Sequence, residues 1–175
     1  MILNIFELPI FVTDIECEKI VFKKQKQYDL AFLSEVNSTK STIDKENILF
    51  EDSEKYLINL AGELLKEKYT NFKLSLLEIW SNKYIKKDYQ EPHIHPKSHF
   101  SFIIYKKVDS SKTYFISPNN YLIESFGMQD LFPMTKSFHL KNNQMIIFPS
   151  FLAHGVKNSS NEETIAGNLL FQKLS

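Results

Sequence analysis

The chain contains no arginine: all 21 of its basic residues are lysine, balanced by 21 Asp and Glu for a net charge of zero. Balanced charge removes the electrostatic footprint of a nucleic-acid-binding or membrane-surface protein. Without a guanidinium there is no planar, two-pronged grip on a carboxylate. Cysteine occurs once, at Cys17, so no intramolecular disulfide can form and a reducing, cytoplasmic setting is expected. No apolar run approaches the roughly 20 residues that span a bilayer. The N-terminal MILNIFELPIFVTDIECEK has no basic leader before its apolar run and no small-residue cleavage site, so no secretory signal is expected. Internal repeats, low-complexity tracts and Pro/Gly/Ser-rich linkers are also missing. The expectation is one domain over residues 1–175, with N-terminal support in 1–72 and a β core in 73–175.

What the chain does have is aromatic bulk, 15 Phe, 8 Tyr and one Trp, which suits rings packed on pleated surfaces. Residues 2–14 read as an opening strand, and the polar 15–50 as a short helix plus loop. Tyr56, Leu57, Leu60, Ala61, Leu64 and Leu65 recur at i, i+3/i+4. That spacing predicts an amphipathic helix over SEKYLINLAGELLKEKYT, capped by Asp52 or Ser53 and packed on a sheet. Beyond residue 73 come short strand patterns: KLSLLEIWSNKYI, SHFSFIIYKKV, TYFIS, SFHL, QMIIFPS, HGVKN and TIAGNLLFQKL. Strands of this length separated by turn residues imply an all-β sandwich or barrel, here a jelly roll with flanking helices. Residues 119–136 exceed a hairpin loop, and connections that long are often binding loops or lids. Phe126, Met128, Leu131 and Phe132 mark this one as a candidate lid.

Three of the 5 histidines fall within DYQEPHIHPKSH. On a strand His93 and His95 project to the same face, and Pro92 and Pro96 place them near a strand end or edge. An HxH pair alone is common on surfaces. The additional feature is His154, which follows the buried QMIIFPS strand and its Pro149-Ser150 turn. A third imidazole from a distant strand completes a facial ligand set with open positions. His99 and His139 are read as structural.

The segments NIFELPIFV, EIWSNKYIKKDYQEPHIHPKSHFSFIIY, TYFISP and NNQMIIFPSFLAHGVKNSSNEETIAGNLLF resemble the small bacterial and phage 2-oxoglutarate/Fe(II) oxygenase-like family. The resemblance is to its prolyl-hydroxylase-like branch in an HxH…H variant. It implies a mainly β, double-stranded β-helix (jelly-roll, cupin-like) fold, with Fe(II) held by His93, His95 and His154 and 2-oxoglutarate as cosubstrate. The implied activity is a dioxygenase that hydroxylates an unknown substrate. That substrate is a small molecule or a protein side chain; oligomeric state is not readable.

Two positions depart from the family pattern. Ser101-Phe102 stands where Ser-Gly is usual, which predicts a narrowed site. The basic residue usual about nine or ten positions after the last histidine, which grips the far carboxylate, falls here on Glu163 or Thr164. Lys157, Lys106, Lys107 or Lys112 could serve instead, with Tyr105, Ser101 and Asn168 adding hydrogen bonds. Two other readings stay open: a three-histidine cupin-type iron dioxygenase that does not use 2-oxoglutarate, and a catalytically degenerate relative that binds a ligand.

Overall fold

The computed structural model describes residues 7–23, 29–30, 40–41, 49–85, 88–157 and 162–174. Its elements run β1 (Phe11–Asp14), β2 (Asp29–Leu30), β3 (Lys40–Ser41), α1 (Glu51–Leu65), β4 (Phe72–Tyr84), β5 (Gln90–His93), β6 (Phe100–Lys107) and β7 (Thr113–Ile116). There follow α2 (Asn120–Ser125), β8 (Thr135–Ser137), β9 (Gln144–Pro149), β10 (His154–Val156) and β11 (Glu162–Lys173). Two antiparallel sheets result: seven strands in the order β1-β9-β6-β11-β4-β3-β2, and four in the order β5-β10-β7-β8. This is a double-stranded β-helix.

Period-2 alternation along β4, β6, β9 and β11 divides the side chains of the larger sheet between two cores. Ile79, Phe102, Ile104, Ile147, Ile165 and Leu169 pack with Leu57, Ala61 and Leu65 of α1. Trp80, Ile103, Tyr105, Ile146, Phe148 and Ala166 point the other way and meet Phe115 of the smaller sheet. Leu57, Ala61 and Leu65 are fully buried, and each leucine sealed this way contributes about 1.5–3 kcal/mol. The amphipathic spacing thus forms the sheet-packed helix expected of it.

The helix begins at Glu51 and ends at Leu65, short of the predicted 53–70. Phe50 is its N-cap, without a side-chain cap. Ser53 is engaged elsewhere, its hydroxyl accepting from Val21 N at 3.0 Å. Glu51, Asp52 and Glu54 in the first turn instead complement the positive end of the helix dipole. The opening strand is confined to Phe11–Asp14 among the described residues, and residues 1–6 of that expectation lie outside them. The helix expected within 15–50 is a single 3₁₀ turn at Cys17–Lys19 among the described residues, accompanied by β2 and β3. In SFHL only Ser137 belongs to a strand, because β8 pairs Thr135–Ser137 with β7 and Phe138 turns inward. The long connection carries α2, which buries no residue.

Candidate metal centre

β5 is an edge strand of the smaller sheet, and His93 is its last residue. Pro92 cannot donate to a ladder and Pro96 follows at once, so pairing ends at this point. Antiparallel pairing sets His93 directly opposite His154, the first residue of β10. His95 lies past the strand end in a turn tightened by Lys97 at φ 71°. Its backbone N donates to Ser150 O at 3.0 Å, and Ser150 N donates back to His99 O at 3.0 Å. The turn after β9 therefore clasps the loop that carries His95 and immediately precedes His154.

The three imidazoles converge. Their ligand atoms lie within 4.8 Å of one another, and the Nε2 atoms of His95 and His154 are 3.4 Å apart. Nitrogens sharing an ion at about 2.1 Å each stand between about 3 and 4.2 Å apart. His93 Nδ1 donates to Glu91 O at 2.8 Å and His154 Nδ1 to Leu152 O at 3.0 Å. With Nδ1–H spent on a carbonyl, Nε2 carries the lone pair, the arrangement usual behind metal-bound imidazoles; Gln90 Nε2 lies 3.4 Å from that of His93. His95 Nδ1 faces Asn168 Nδ2 at 3.4 Å. Asn168 is itself fixed, donating to Glu78 Oε1 at 2.6 Å and accepting from Ser101 Oγ at 2.7 Å.

Burial lowers the pKa of all three. His154 falls to about 3, through burial first and then the His93 and His95 charges. His95 falls to about 4 through burial and then His93, and His93 falls through burial against an opposing Glu91 carbonyl bond. All three are neutral at pH 7, the form that ligates metal. Three neutral imidazoles suit a divalent transition ion and not a hard cation such as Mg²⁺ or Ca²⁺. The residues present fit iron.

Trp80 packs on His95 with centroids 5.5 Å apart, and Phe148 meets His154 edge-on at 4.7 Å. The pocket extending from the histidines between the sheets is lined by Asn82, Tyr84, Gln90, Thr113, Glu162 and Thr164, among others. Of the other predicted residues, Ser101 lines the pocket. Asn168 sits behind His95, tied to Glu78. Tyr105 is fully buried, donating to Thr113 Oγ1 at 2.9 Å. Its phenol is pushed up to about 12, chiefly by burial, with the Glu162 charge adding to the rise.

The candidate lysines stand apart from the pocket lining. Lys157 lies over the Tyr114 ring at 5.3 Å, Lys106 and Lys107 are exposed, and none of these nor Lys112 is among the described pocket-lining residues. Thr164 faces inward as its phase requires, while Glu163 points out to within 4.0 Å of Lys83. Phe102 is among the residues that line the pocket. Its side chain belongs to the helix-side core, and the ring occupies the space beside Gly167, where a Cβ would stand 2.5 Å from it. His99 accepts from Phe171 N at 3.1 Å and His139 is exposed beside Ser110, so both fit the structural reading. Phe126, Leu131 and Phe132 are exposed and are not among the pocket-lining residues. Sequence reasoning missed Gln90, Asn82 and Glu162. The i, i+2 phase of Ser101 and Asn168, carried along the neighbouring strands, was the signal that could have found the last two.

Fold and site together define a double-stranded β-helix with three imidazoles placed where they could hold a metal ion. Residues 78–166 match the family described as "Putative 2OG-Fe(II) oxygenase". The chain belongs to that family of Fe(II)- and 2-oxoglutarate-dependent oxygenases. No curated protein matches it. Solved structures with the same fold include an oxidoreductase of the 2OG-Fe(II) oxygenase family from Burkholderia pseudomallei (13% identity, 95% of this chain and 73% of that one, TM-score 0.51). HygX from Streptomyces hygroscopicus, with nickel, 2-oxoglutarate and hygromycin B bound, is similar at 11% identity, 83% and 74% coverage and TM-score 0.51. A Pseudomonas putida prolyl-4-hydroxylase is similar at 10% identity, 83% and 78% coverage and TM-score 0.51. No helix among the described residues is long and apolar enough to cross a membrane.

Proposed function

We propose that His93, His95 and His154 are the iron ligands of this oxygenase and that the pocket beside them takes 2-oxoglutarate. The observation that carries the assignment is the convergence of the three ligand atoms within 4.8 Å. When bound, iron and 2-oxoglutarate couple the consumption of dioxygen to hydroxylation of a substrate C–H bond, with succinate and carbon dioxide as the cosubstrate's products. The chain's own residues prepare that site. The Glu91 and Leu152 carbonyls hold two rings in their ligating tautomer. Trp80, Phe115 and Phe148 shield His95 and His154 from water. The position of His93 on an edge strand supports substrate approach from that side, by a small molecule or a protein side chain. We further take residues 1–175 as one catalytic domain, supported by β1 and β11 sharing a sheet. A cytoplasmic setting is supported by the lone buried thiol of Cys17.

Anaerobic Fe(II) titration of the purified protein tests the ligand set. His93→Ala and His154→Ala are expected to lose tight binding while His99→Ala keeps it; unchanged affinity in the first two sinks the assignment. Aerobic succinate formation from 2-oxoglutarate by the iron-loaded protein tests the activity. One observation favours a second reading, in which a substrate chelates iron without 2-oxoglutarate: a glutamate, Glu162, lines the pocket. Absence of both succinate and 2-oxoglutarate binding would select it.

A further inference from the structure

One cross-section of the β-helix gathers polar side chains beside the metal centre. Thr164 of β11 pairs with Asn82 of β4 on one side and with Tyr105 of β6 on the other. The Tyr105 hydroxyl crosses to the smaller sheet and donates to Thr113 Oγ1 at 2.9 Å. Thr113 lies on β7 two residues from Phe115, the partner of His154. Two residues of strand measure about 6.5 Å, comparable with the length of a five-carbon diacid. The section is therefore within reach of the distal carboxyl group of 2-oxoglutarate when its 2-oxo acid head faces the histidines.

A hydroxyl group has one hydrogen to give and two lone pairs that accept, and several groups of this section are already committed. Tyr105, kept protonated by burial, gives its hydrogen to Thr113. Tyr84 gives its own to Gln90 Oε1 at 2.7 Å, and Glu162 is engaged by a partner of its own. The two threonines differ. Thr113 Oγ1 accepts from Tyr105, and Thr164 Oγ1 faces the Asn82 Nδ2 donor at 3.5 Å. Neither threonine hydroxyl donates to any described residue, and both line the pocket at 3% and 5% exposure. Asn82 Oδ1, also buried, accepts from no described residue. The lining thus holds hydrogen-bonding capacity that the described residues do not use. No lysine is among the described lining residues, and the chain has no arginine.

We propose that Thr113 and Thr164 are specificity-determining residues of the cosubstrate pocket: their hydroxyl groups, aimed by Tyr105 and Asn82, hold the distal carboxylate of 2-oxoglutarate by hydrogen bonds, in the role a cation would otherwise fill. This deepens, and rests on, the reading of the pocket as the 2-oxoglutarate site. Hydrogen bonds to a carboxylate favour its charged form even where burial opposes it. One hydroxyl comes from each sheet, so the grip spans the barrel. A site built to hydrogen-bond one group discriminates against an analogue that lacks it.

Calorimetry on anaerobic Fe(II)-loaded protein reads the contact without turnover. The reference ligand is 2-oxobutyrate, with the same 2-oxo acid head and no distal carboxyl. Thr164→Val and Thr113→Val each remove a hydroxyl at nearly constant shape. Each is expected to raise the Kd of 2-oxoglutarate about 10–100-fold and to leave that of 2-oxobutyrate within about twofold. Thr164→Ser keeps the hydroxyl and is expected to keep the affinity for 2-oxoglutarate, with unchanged thermal midpoints confirming the fold. Unchanged 2-oxoglutarate affinity in either valine variant overturns the proposal and leaves the cosubstrate reading intact. So does an equal loss for both acids, or a loss in Thr164→Ser as deep as in Thr164→Val. Failure of the parent protein to bind 2-oxoglutarate overturns the cosubstrate reading and the proposal with it.

Discussion

Asn168 shows how single positions are committed at this centre. Its carboxamide joins Ser101, Glu78 and the far nitrogen of His95, so it orients the ring of a proposed ligand from behind. Partners of that kind typically govern metal affinity by about 10–100-fold. Asn168→Ala is therefore expected to weaken Fe(II) binding by that range in a competition titration, with His93 and His154 intact. Gly167 is committed sterically, since an added Cβ would meet Glu78 O and the Phe102 ring, each at 2.5 Å. Gly167→Ala should lower the urea midpoint by an amount worth about 1–3 kcal/mol. The histidines were legible because HxH plus a remote histidine is a chemical pattern. Asn168 was legible as a polar residue on a strand but its task was not, because its partners Glu78 and His95 come from distant parts of the chain.

Among the elements, α1 and α2 differ in what they bury. Leu57 is fully enclosed in α1, and Leu57→Ala should cost about 2–5 kcal/mol by denaturant unfolding. α2 encloses nothing, and Phe126, just beyond it, is 74% exposed. Phe126→Ser should stay within about 0.5 kcal/mol of the parent. Amide exchange should protect residues 51–65 far more than 120–126, since few buried contacts mean cheap local opening; equal protection would contradict this. Strand periodicity placed β4, β6, β9 and β11 within a residue or two. It could not place the ends of α1, where Ser53 is drawn off by Val21, or β8, whose extent is set by its pairing with β7.

For the whole molecule, stability is tied to pH through His95 and His154. Their folded-state values of about 4 and about 3 lie below the ordinary 6.5 of an unfolded histidine. Below pH 6.5 the unfolded chain binds protons that the folded chain refuses. The stabilising contribution is thus complete above pH 6.5 and falls as pH drops toward 4 and then 3, with a slope of up to about 1.4 kcal/mol per unit per histidine. Thermal melts of metal-free protein should show this decline, and His154→Gln should flatten it. A saturating metal should raise the melt at pH 7 in proportion to RT ln(1+[L]/Kd), about 2.7 kcal/mol at 100 Kd. The jelly roll itself was readable from strand count and spacing. The two-faced division of the larger sheet was not, because it depends on which side α1 covers.

The rung that sets His93 across from His154 makes the ligand set a property of alignment as much as of residue identity. A slip of one residue along β5 turns alternate side chains to the other face and swings His93 away from its two companions. An extra residue inserted between Gln90 and Glu91 would then disarm the centre with every histidine still in the chain. An ion seated there works in the opposite sense, as a rivet that keeps the outermost strand of the smaller sheet from creeping.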